Sequence, residues 1–359
     1  MGKKVILAMS GGVDSSVAAY LLKNQGYDII GITMQLLPKN EGGENSGCCG
    51  ADDILDAKKV ANILDIPHYV LNFRKLFQKT VINNFIDEYK LGRTPNPCIR
   101  CNQFLKFNYL LHKAEELSAD YIATGHYARV VYSKKSSRFF LKKGKDRTKD
   151  QSYVLYSIKK QNLNRIIFPL GEQLKQNVKE IAYKLKFPQA GKKESQEICF
   201  IPDDDYGNYL AKHFPEMIKP GPISDLQGKI IGQHKGICFY TVGQRKGLGI
   251  SAPSPMYVTA IDRKRNMLVV GKHEDCYFKG LVARELNFIT DFNFSQPLNI
   301  KIRYRHQAGQ ATVKIVENNQ ALVIFKRPQW AVTPGQAVVF FRKDIVVGGG
   351  VIYSALRNI

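Results

Sequence analysis

The chain has 359 residues, of which 44% are hydrophobic and 23% are charged. That length is comfortable for two or three domains, and the composition is ordinary for a globular protein, which excludes a wholly disordered chain. The 53 Lys and Arg residues exceed the 31 Asp and Glu residues by 22 positive charges. Such an excess favours a polyanionic partner, nucleic acid above all, with a generally lysine-rich proteome as the alternative explanation.

The location expected from the sequence is the cytoplasm. The chain contains no apolar run of the roughly 20 residues that a membrane helix requires. The short apolar stretch near the start is followed by glycines and Asp14 rather than by the cleavage site of a signal peptide. Seven cysteines at uneven spacing argue against a secreted disulfide scaffold and favour a reducing compartment.

The first part of the chain alternates between short apolar runs and longer segments with helical spacing. Strands are predicted at residues 4–9, 28–34, 68–72 and 120–124, and helices at residues 16–25, 52–64, 75–90 and 103–117. Strands that alternate with helices of this length imply right-handed βαβ units and a parallel sheet.

The pattern changes in the second half. From about residue 220, glycine-punctuated segments replace the helical spacing, and short strands are predicted at residues 299–305, 311–316, 321–325, 337–342 and 346–353. Such a series indicates a small antiparallel barrel or sandwich. Residues 129–150 hold nine Lys or Arg and two Asp, and we predict a hairpin or loop there, either a solvated basic face or an RNA-facing ribbon.

Residues 10–16, Ser-Gly-Gly-Val-Asp-Ser-Ser, lie between the first predicted strand and the first predicted helix. Glycines in such a turn let the backbone approach an anion, while Ser10, Ser15 and the N–H groups of the helix start can donate to phosphate oxygens. The segment lacks the Walker pattern and the dinucleotide pattern G-x-G-x-x-G. A turn with N-capping serines and no ligand is the alternative.

The segment resembles the SGGxDS signature of PP-loop ATP pyrophosphatases, which cleave ATP between the α- and β-phosphates and adenylylate a carbonyl oxygen. Further segments resemble, in the same order, those of the tRNA-specific 2-thiouridylase family. They are TPNPCIRCN at 94–102, GHY at 125–127, DQSY at 150–153, ESQEICF at 194–200, TVGQRKGL at 241–248 and PGQ at 334–336.

The resemblance implies an α/β fold in three parts. The first is a parallel-sheet PP-loop domain, similar to the adenine nucleotide alpha hydrolases, at residues 1–206. A small central domain follows at residues 207–275, and an antiparallel β-barrel that binds tRNA at residues 276–359.

The implied activity is ATP-dependent 2-thiolation of the wobble uridine of tRNA. Adenylylation of uracil O2 makes a good leaving group, and a sulfur nucleophile then attacks C2; the ionised form is the nucleophile. By resemblance, Cys199 carries the persulfide, and Cys101 is the nucleophile that releases the sulfur and closes a Cys101–Cys199 disulfide. The implied partners are tRNA and a persulfide donor, either a cysteine desulfurase or a relay carrier.

The cysteines leave alternatives open. Cys199 and Cys101 are each compatible with simple packing, Cys238 and Cys276 lie in apolar patterns that favour a structural role, and Cys48 and Cys49 receive no role. Some family members carry an acidic residue at the position of Cys98, so an acid–base role is weakened here. Three thiols, at Cys98, Cys101 and Cys199, raise the hypothesis of an iron–sulfur cluster or a zinc ion.

The binding residues implied by the resemblance fall into two sets. The ATP set, in which Asp14 orients Mg²⁺, comprises Ala8, Met9, Ser10, Gly11, Gly12, Val13, Asp14, Ser15, Met34 and Gly125. The tRNA set comprises Asn96, Pro97 and Cys98 around the target base, then His126, Lys149, Asp150, Gln151, Arg303, Tyr304 and Gln336. Core packing is the alternative for Met34 and His126.

The predicted strand at 299–305 places the side chains of Lys301, Arg303 and Arg305 on one face, for contacts with phosphates or as an ordinary solvated surface. Two other functions remain as rivals. One is a PP-loop synthetase that acts on a small metabolite, and the other is a non-catalytic RNA-binding protein.

Overall fold

The computed structural model describes residues 2–37, 50–192, 198–201 and 205–358. Cys48, Cys49 and the ESQE segment at 194–197 lie outside the described residues. Contacts between Cα atoms divide the chain into two compact units. The first unit comprises Met1–Val81, Cys98–Asp204 and Asp344–Val346, and the second comprises Ile82–Pro97, Asp205–Lys343 and Val347–Ile359.

The first unit contains the predicted parallel sheet. Its five strands are β1 (Lys4–Ala8), β2 (Asp28–Gln35), β3 (His68–Asn72), β4 (Tyr121–Thr124) and β7 (Ile166–Ile167), in the order β3-β2-β1-β4-β7. In the central strand, Ile6 pairs with Ile30 of β2 and with Ile122 of β4. Because Val5, Ile6 and Leu7 have no exposed surface, β1 is a continuous apolar run of the kind that helices cover on both faces.

The helices up to residue 184 are α1 (Val13–Asn24), α2 (Ala51–Ile63), α3 (Arg74–Phe77), α4 (Asn83–Lys90), α5 (Pro97–Arg100), α6 (Leu110–Glu116) and α7 (Lys175–Lys184). Of these, α4 belongs to the second unit. The two longest predicted helices are interrupted by wider π-helical turns, at Gln78–Ile82 between α3 and α4 and at Cys101–Tyr109 between α5 and α6. Such turns are frequent at functional sites. No prediction covered α7.

The basic segment forms the predicted hairpin. Its strands are β5 (Ala128–Ser133) and β6 (Arg138–Lys143), which pair in antiparallel register. Tyr132 and Phe139 face each other across the hairpin with ring centroids 5.0 Å apart, and both rings are exposed.

The second unit includes α4 and continues with α8 (Tyr206–His213) and a small mixed sheet. The sheet has the order β10-β11-β8-β9 and consists of β8 (Gly221–Ser224), β9 (Ile230–His234), β10 (Tyr257–Asp262) and β11 (Met267–Gly271). Ile223, Val258 and Leu268 are fully buried and form the centre of its core. Short 3₁₀ helices lie at Pro215–Met217, Ile237–Phe239 and His273–Cys276 in this unit, and at Ser152–Leu155 and Lys160–Arg165 in the first unit.

The predicted barrel follows. Its strands are β12 (Tyr277–Phe288), β13 (Leu298–Lys301), β14 (Gly309–Val316), β15 (Gln320–Trp330), β16 (Ala337–Arg342) and β17 (Ile345–Leu356). They are ordered β12-β15-β14-β13-β16-β17, and β12 also pairs with β17, which closes a six-stranded antiparallel barrel. The sequence interpretation missed β12, the strand that makes closure possible.

One strand prediction was wrong in a way that affects the site. β13 ends at Lys301, and Arg303 and Arg305 lie in the bend and turn that follow it. The argument that their side chains share one strand face with Lys301 therefore fails.

Among the residues that the structure describes, no helix is long and apolar enough to cross a membrane.

Candidate functional site

The loop at residues 10–16 connects β1 to α1 as predicted. Gly12 is the N-cap residue of α1 and supplies no side-chain cap. The hydroxyls of Ser15 and Ser16 each donate to the carbonyl oxygen of Gly12 at 3.0 Å, and the Ser10 N–H donates to Ser15 Oγ at 3.2 Å. The buried serines therefore brace the loop from within, and the start of the helix keeps its positive dipole end for an anion.

The two loop glycines are needed for different reasons. Gly11 has a φ of +75°, and a Cβ there would lie 2.2 Å from the Asp53 carbonyl oxygen, so the fold itself requires glycine. Gly12 has a φ of −84°, and a Cβ there would meet only Ser10 Oγ, at 3.6 Å. Apart from its chain neighbours, no other described atom lies within 4 Å of this Cβ position, so the loop leaves room for a ligand beside Gly12.

Gly125 follows β4 and packs directly against this loop. A Cβ at Gly125 would lie 2.9 Å from the Ser15 backbone nitrogen and 3.0 Å from the Asp14 carbonyl carbon. The glycine therefore brings the carboxyl end of β4 against the first turn of α1. Met34 is only 7% exposed, so its side chain packs in the core and a role with adenine rests on its backbone.

Two residues that the prediction missed meet Asp14. Lys175 Nζ donates to Asp14 Oδ1 at 2.7 Å, and Tyr127 Oη donates to the same oxygen at 2.8 Å. The Lys175 side chain is 8% exposed. No local signal marks Lys175, because its partner lies 161 residues earlier in the sequence; Tyr127 stood within the GHY motif.

Cys101 and Cys199 are partly exposed, whereas Cys238 and Cys276 are buried. Cys101 starts the π-helical segment after α5. Burial raises the pKa of the Cys101 thiol, and the positive charge of Lys106 partly opposes that rise. Cys98, on α5, is exposed. Cys238 and Cys276 are 1% and 0% exposed, and burial raises the pKa of Cys276 to about 11, so packing is their role.

Described residues on both sides of Cys199 contact helices of the first unit. After it, Phe200 packs edge-on against Phe77 of α3, with centroids 5.6 Å apart. Before it, the Gln189 side chain donates to Ser16 Oγ in α1, and Lys192 Nζ pairs with Asp56 of α2 at 2.5 Å. The described residues on either side of 193–197 therefore contact α1, α2 and α3 of the first unit, and Cys199 is partly exposed.

The helical run that carries Cys101 contacts the same neighbourhood. Tyr109 packs against Phe73, the residue that precedes α3, at 4.8 Å between centroids. Phe107 packs against His126 at 6.1 Å, and His126 directly follows Gly125. The helical segment that starts at Cys101 and the residue after Cys199 therefore both pack near α3. The Cys101 segment also contacts His126, next to Gly125, which packs against the loop at residues 10–16.

The three thiols do not form a metal site. Throughout residues 2–37, 50–192, 198–201 and 205–358, no three His, Cys, Asp or Glu side chains are grouped closely enough to hold a metal ion. The described residues therefore give no support to the hypothesis of an iron–sulfur cluster or a zinc ion on Cys98, Cys101 and Cys199. Asp14 remains compatible with Mg²⁺, which commonly takes one or two carboxylates together with substrate phosphates.

Several residues predicted to bind tRNA make contacts within the first unit. His126 is 9% exposed, its Nδ1 lies 2.5 Å from Thr124 Oγ1, and burial lowers its pKa well below the ordinary value. This supports the core alternative for its ring. Gln151 Oε1 accepts from the Tyr127 N–H at 3.0 Å, and Asp150 Oδ1 accepts from Gly144 N–H at 3.0 Å.

In the second unit, the PGQ turn lies against the predicted base-binding segment. Gln336 Nε2 donates to the carbonyl oxygens of Thr94 and Pro95, at 2.9 and 3.2 Å. The Thr94 N–H donates to Pro334 O at 2.9 Å. Gly335 has a φ of +91°, and a Cβ there would lie 2.9 Å from Thr94 N. The barrel turn thus holds the two residues that precede Asn96 and Pro97.

The predicted tRNA residues after β13 differ in exposure. Arg303 donates through Nη2 to the carbonyl oxygen of Ala331, and its guanidinium lies 5.6 Å from the Trp330 ring centroid. Tyr304 is 39% exposed, and Lys301 Nζ lies 5.6 Å from its ring centroid. Tyr304 therefore offers an exposed aromatic surface beside a cation, a combination suited to a nucleobase.

Comparison with known proteins covers the whole chain. Family models described as the tRNA methyl transferase HUP domain, the tRNA methyl transferase PRC-barrel domain and the aminomethyltransferase beta-barrel domain match residues 3–203, 207–272 and 278–352. The chain is 49% identical over 362 residues to tRNA-specific 2-thiouridylase MnmA 2 of Thermoanaerobacter sp., covering 99% of this chain and 100% of the relative.

Other relatives are equally extensive. MnmA of Natranaerobius thermophilus is 49% identical over 99% of this chain and 98% of its own length, and MnmA of Clostridium perfringens is 48% identical over 99% of each. Similarity to solved structures is low. A 4-thiouridine synthetase–RNA complex with bound ATP gives a TM-score of 0.38 at 19% identity, over 60% of this chain and 51% of that one.

Proposed function

Since the chain belongs to the tRNA-specific 2-thiouridylase family, we propose that it replaces O2 of the wobble uridine of tRNA with sulfur in an ATP-dependent reaction. The observation that carries this proposal is local to the first unit. An open cradle at Gly12 lies at the start of α1, Gly125 packs on that cradle, and His126 contacts the helical run that starts at Cys101.

The first step activates the base. Uracil O2 attacks the α-phosphate of ATP, the bond to the β-phosphate breaks, and pyrophosphate leaves. The helix start beyond Gly12 binds the phosphates, and Asp14 is suited to orient the Mg²⁺ that travels with them. The nucleotide site stays as predicted, at residues 8–15, Met34 and Gly125, with backbone groups near Met34 for adenine and Gly125 allowing its close approach.

The second step moves sulfur. The terminal sulfur of a Cys199 persulfide attacks C2, and AMP leaves with the former O2. The Cys101 thiolate then attacks Cys199 Sγ, which breaks the sulfur–sulfur bond, leaves the terminal sulfur on C2 and forms a Cys101–Cys199 disulfide. A thiol reductant regenerates both thiols before the next turnover. The persulfide itself comes from a cysteine desulfurase or a relay carrier, and the cytoplasm is the compartment that suits this chemistry.

Recognition of tRNA is assigned to residues of both units. Asn96, Pro97 and Cys98 line the pocket for the flipped base, because a stacked uracil hides C2. Lys149, Arg303 and Tyr304 contact the anticodon region. Asp150, Gln151, His126 and Gln336 support these contacts through the hydrogen bonds and packing described above.

The three domains are bounded at residues 206/207 and 275/276.

Methyl transfer, named in the family-model description, is a second candidate function. The arrangement favours thiolation over it, because a phosphate cradle and two partly exposed thiols have no task in the transfer of a methyl group. A synthetase acting on a small metabolite would not require the basic hairpin or the barrel, and a non-catalytic RNA-binding protein would not require the cradle.

The test is mass spectrometry of tRNA nucleosides after incubation with ATP, Mg²⁺ and a persulfide source. We expect 2-thiouridine in the complete reaction and none without ATP. Cys199→Ser should abolish the product while tRNA and ATP still bind, whereas Cys238→Ser, at a buried packing position, should leave the product in place. Product formed by Cys199→Ser at the wild-type rate would contradict the proposal.

A further inference from the structure

Lys175 is a buried lysine at an unfavourable place. It is the first residue of α7, where the positive end of the helix dipole disfavours a cation. Its side chain is 8% exposed, and a buried ammonium group is costly unless it is paired. The structure of α7 alone gives no reason for a lysine at this position.

The start of α7 is stabilised by a different residue. Asp146 Oδ2 accepts the Lys175 backbone N–H at 3.0 Å, so the helix start already has an acidic partner. A hydrogen bond from the Thr148 side chain, followed by that from the Lys175 N–H, lowers the pKa of Asp146. The Lys175 side chain is therefore not required for capping.

The ammonium group of Lys175 is directed at the loop at residues 10–16, which we call the phosphate loop. It lies 2.7 Å from Asp14 Oδ1 and 5.7 Å from the centroid of the Tyr127 ring, and the Tyr127 hydroxyl donates to the same Asp14 oxygen. Asp14 is in the first turn of α1. A cation that contacts the first turn of this helix is within reach of an anion seated at its start.

The charge at the cradle explains why a cation is needed there. The loop at residues 10–16 contains no Lys or Arg, and its one charged residue is the acidic Asp14, which repels phosphate. Lys175 compensates that charge in the absence of nucleotide. When phosphates and Mg²⁺ arrive, the carboxylate gains a cation and the ammonium group gains anionic oxygens, so the pair can exchange partners without leaving a buried charge unpaired.

We propose that Lys175 is the phosphate-binding cation of this loop, held ready by Asp14 and Tyr127, and that it binds the pyrophosphate portion of ATP and the released pyrophosphate. This inference rests on the proposed function, because it assumes that the cradle binds ATP. It assigns to α7, outside the SGGVDS segment, a binding residue of the same site.

The test is calorimetric titration with ATP and, separately, with inorganic pyrophosphate, both with Mg²⁺ and without tRNA. Lys175→Met should weaken both affinities roughly 10- to 100-fold, the loss expected for a charge-assisted contact. Lys175→Arg should retain most of the affinity. Lys184→Met, which removes an exposed lysine at the other end of α7, is the matched control and should stay within about twofold of wild type.

A double variant separates binding from simple charge neutralisation. If Lys175 served only to neutralise Asp14, adding Lys175→Met to Asp14→Asn would cause no further loss of affinity for pyrophosphate beyond that of Asp14→Asn alone, and that result would overturn the inference. The neutral pair also guards against misfolding, since it leaves no unpaired charge. Equal binding by wild type and Lys175→Met would sink the inference but spare the function, whereas no binding by wild type would contradict both.

Discussion

Cys101 occupies surroundings that work against its proposed role as a nucleophile. Burial raises the pKa of its thiol, and Lys106 lowers it. The thiolate fraction at neutral pH is therefore small and rises as the pH increases through the alkaline range. Lys106, one helical turn away on the same π-helical segment, is the residue that limits this disadvantage.

We predict that Lys106→Met shifts the alkylation of Cys101 by iodoacetamide to higher pH. Without the nearby positive charge, the thiolate loses stabilisation, so the rate at any pH between about 7 and 9 should fall by several-fold. Peptide mass spectrometry identifies the modified cysteine. Lys113→Met, further along in α6, removes a lysine that does not influence the thiol and should leave the profile unchanged; a shift equal to that of Lys106→Met would refute the assignment.

At the scale of elements, the phosphate loop offers a matched pair of substitutions. Gly11→Ala places a Cβ against the Asp53 carbonyl at a positive φ, and we expect it to lower the free energy of unfolding by at least about 2 kcal/mol. Gly12→Ala adds a Cβ at a negative φ that meets only Ser10 Oγ, at 3.6 Å, and the melting temperature of this variant should stay close to that of wild type.

The effect of Gly12→Ala should appear in the affinity for ATP rather than in the melting temperature. The methyl group of Gly12→Ala enters the space in front of α1, so ATP should bind at least about tenfold more weakly, an effect comparable to the loss of one or two hydrogen bonds. Thermal melts and calorimetry on the same preparations give both quantities. ATP affinity retained in Gly12→Ala would show that this space is not the phosphate cradle.

The PGQ turn of the barrel is the second element whose role can be tested. Gln336→Met keeps the length of the side chain but removes the N–H groups that bind Thr94 O and Pro95 O. We expect faster amide hydrogen exchange in residues 94–97 and a thiolation rate reduced about tenfold, because the segment before Cys98 loses its anchor.

The same substitution distinguishes anchoring from direct contact. An anchoring role leaves the affinity for tRNA within about threefold of wild type, whereas a role confined to RNA contact weakens that affinity and leaves hydrogen exchange unchanged. Gln329→Met, on β15, is a suitable control, because its amide donates to the carbonyl oxygens of Arg327 and Pro328 beside it.

The sequence predicted the parallel sheet because buried strands and helices have different periods, and that information is local. It also placed the phosphate loop correctly, since a strand, a glycine turn and a helix follow one another directly. It missed β12, whose polar and apolar residues alternate irregularly across two bulges. It also missed Lys175, because only the folded chain creates its contact with Asp14.

The extent of β13 was a subtler error. The spacing of residues 299–305 predicted one strand with three cations on one face, but the chain turns after Lys301. The turn directs Arg303 towards Ala331 and Trp330 and leaves Tyr304 exposed. Alternation of charges in a sequence does not reveal where pairing with a neighbouring strand stops.

For the molecule as a whole, the 22 excess positive charges make the affinity for tRNA strongly dependent on salt. If six or more phosphates are contacted, raising the salt concentration from about 50 to about 200 mM should weaken binding by roughly a thousandfold or more. Binding of ATP, which involves the cradle rather than a long polyanion, should change far less, and filter-binding and calorimetric titrations on one preparation compare the two.

The basic hairpin tests where this dependence originates. Lys134 and Lys135 lie in its turn and Arg138 begins β6, beside the exposed pair of Tyr132 and Phe139. If the hairpin contacts RNA, replacing the three cations with Gln should reduce the slope of log affinity against log salt by about 0.9 for each phosphate that the protein no longer neutralises. It should also slow association, because fewer charges steer the encounter.

A charge-matched variant decides between a local contact and the overall field. Replacing Lys58, Lys59 and Lys184, which are exposed on helices α2 and α7, with Gln removes the same three charges. Net charge alone would give both triple variants the same slope and the same affinity for tRNA. A hairpin that lies on the RNA gives a larger loss of affinity in its own variant, because charges within a Debye length of about 8–10 Å dominate at these salt concentrations. Equal losses would make the hairpin an ordinary solvated face.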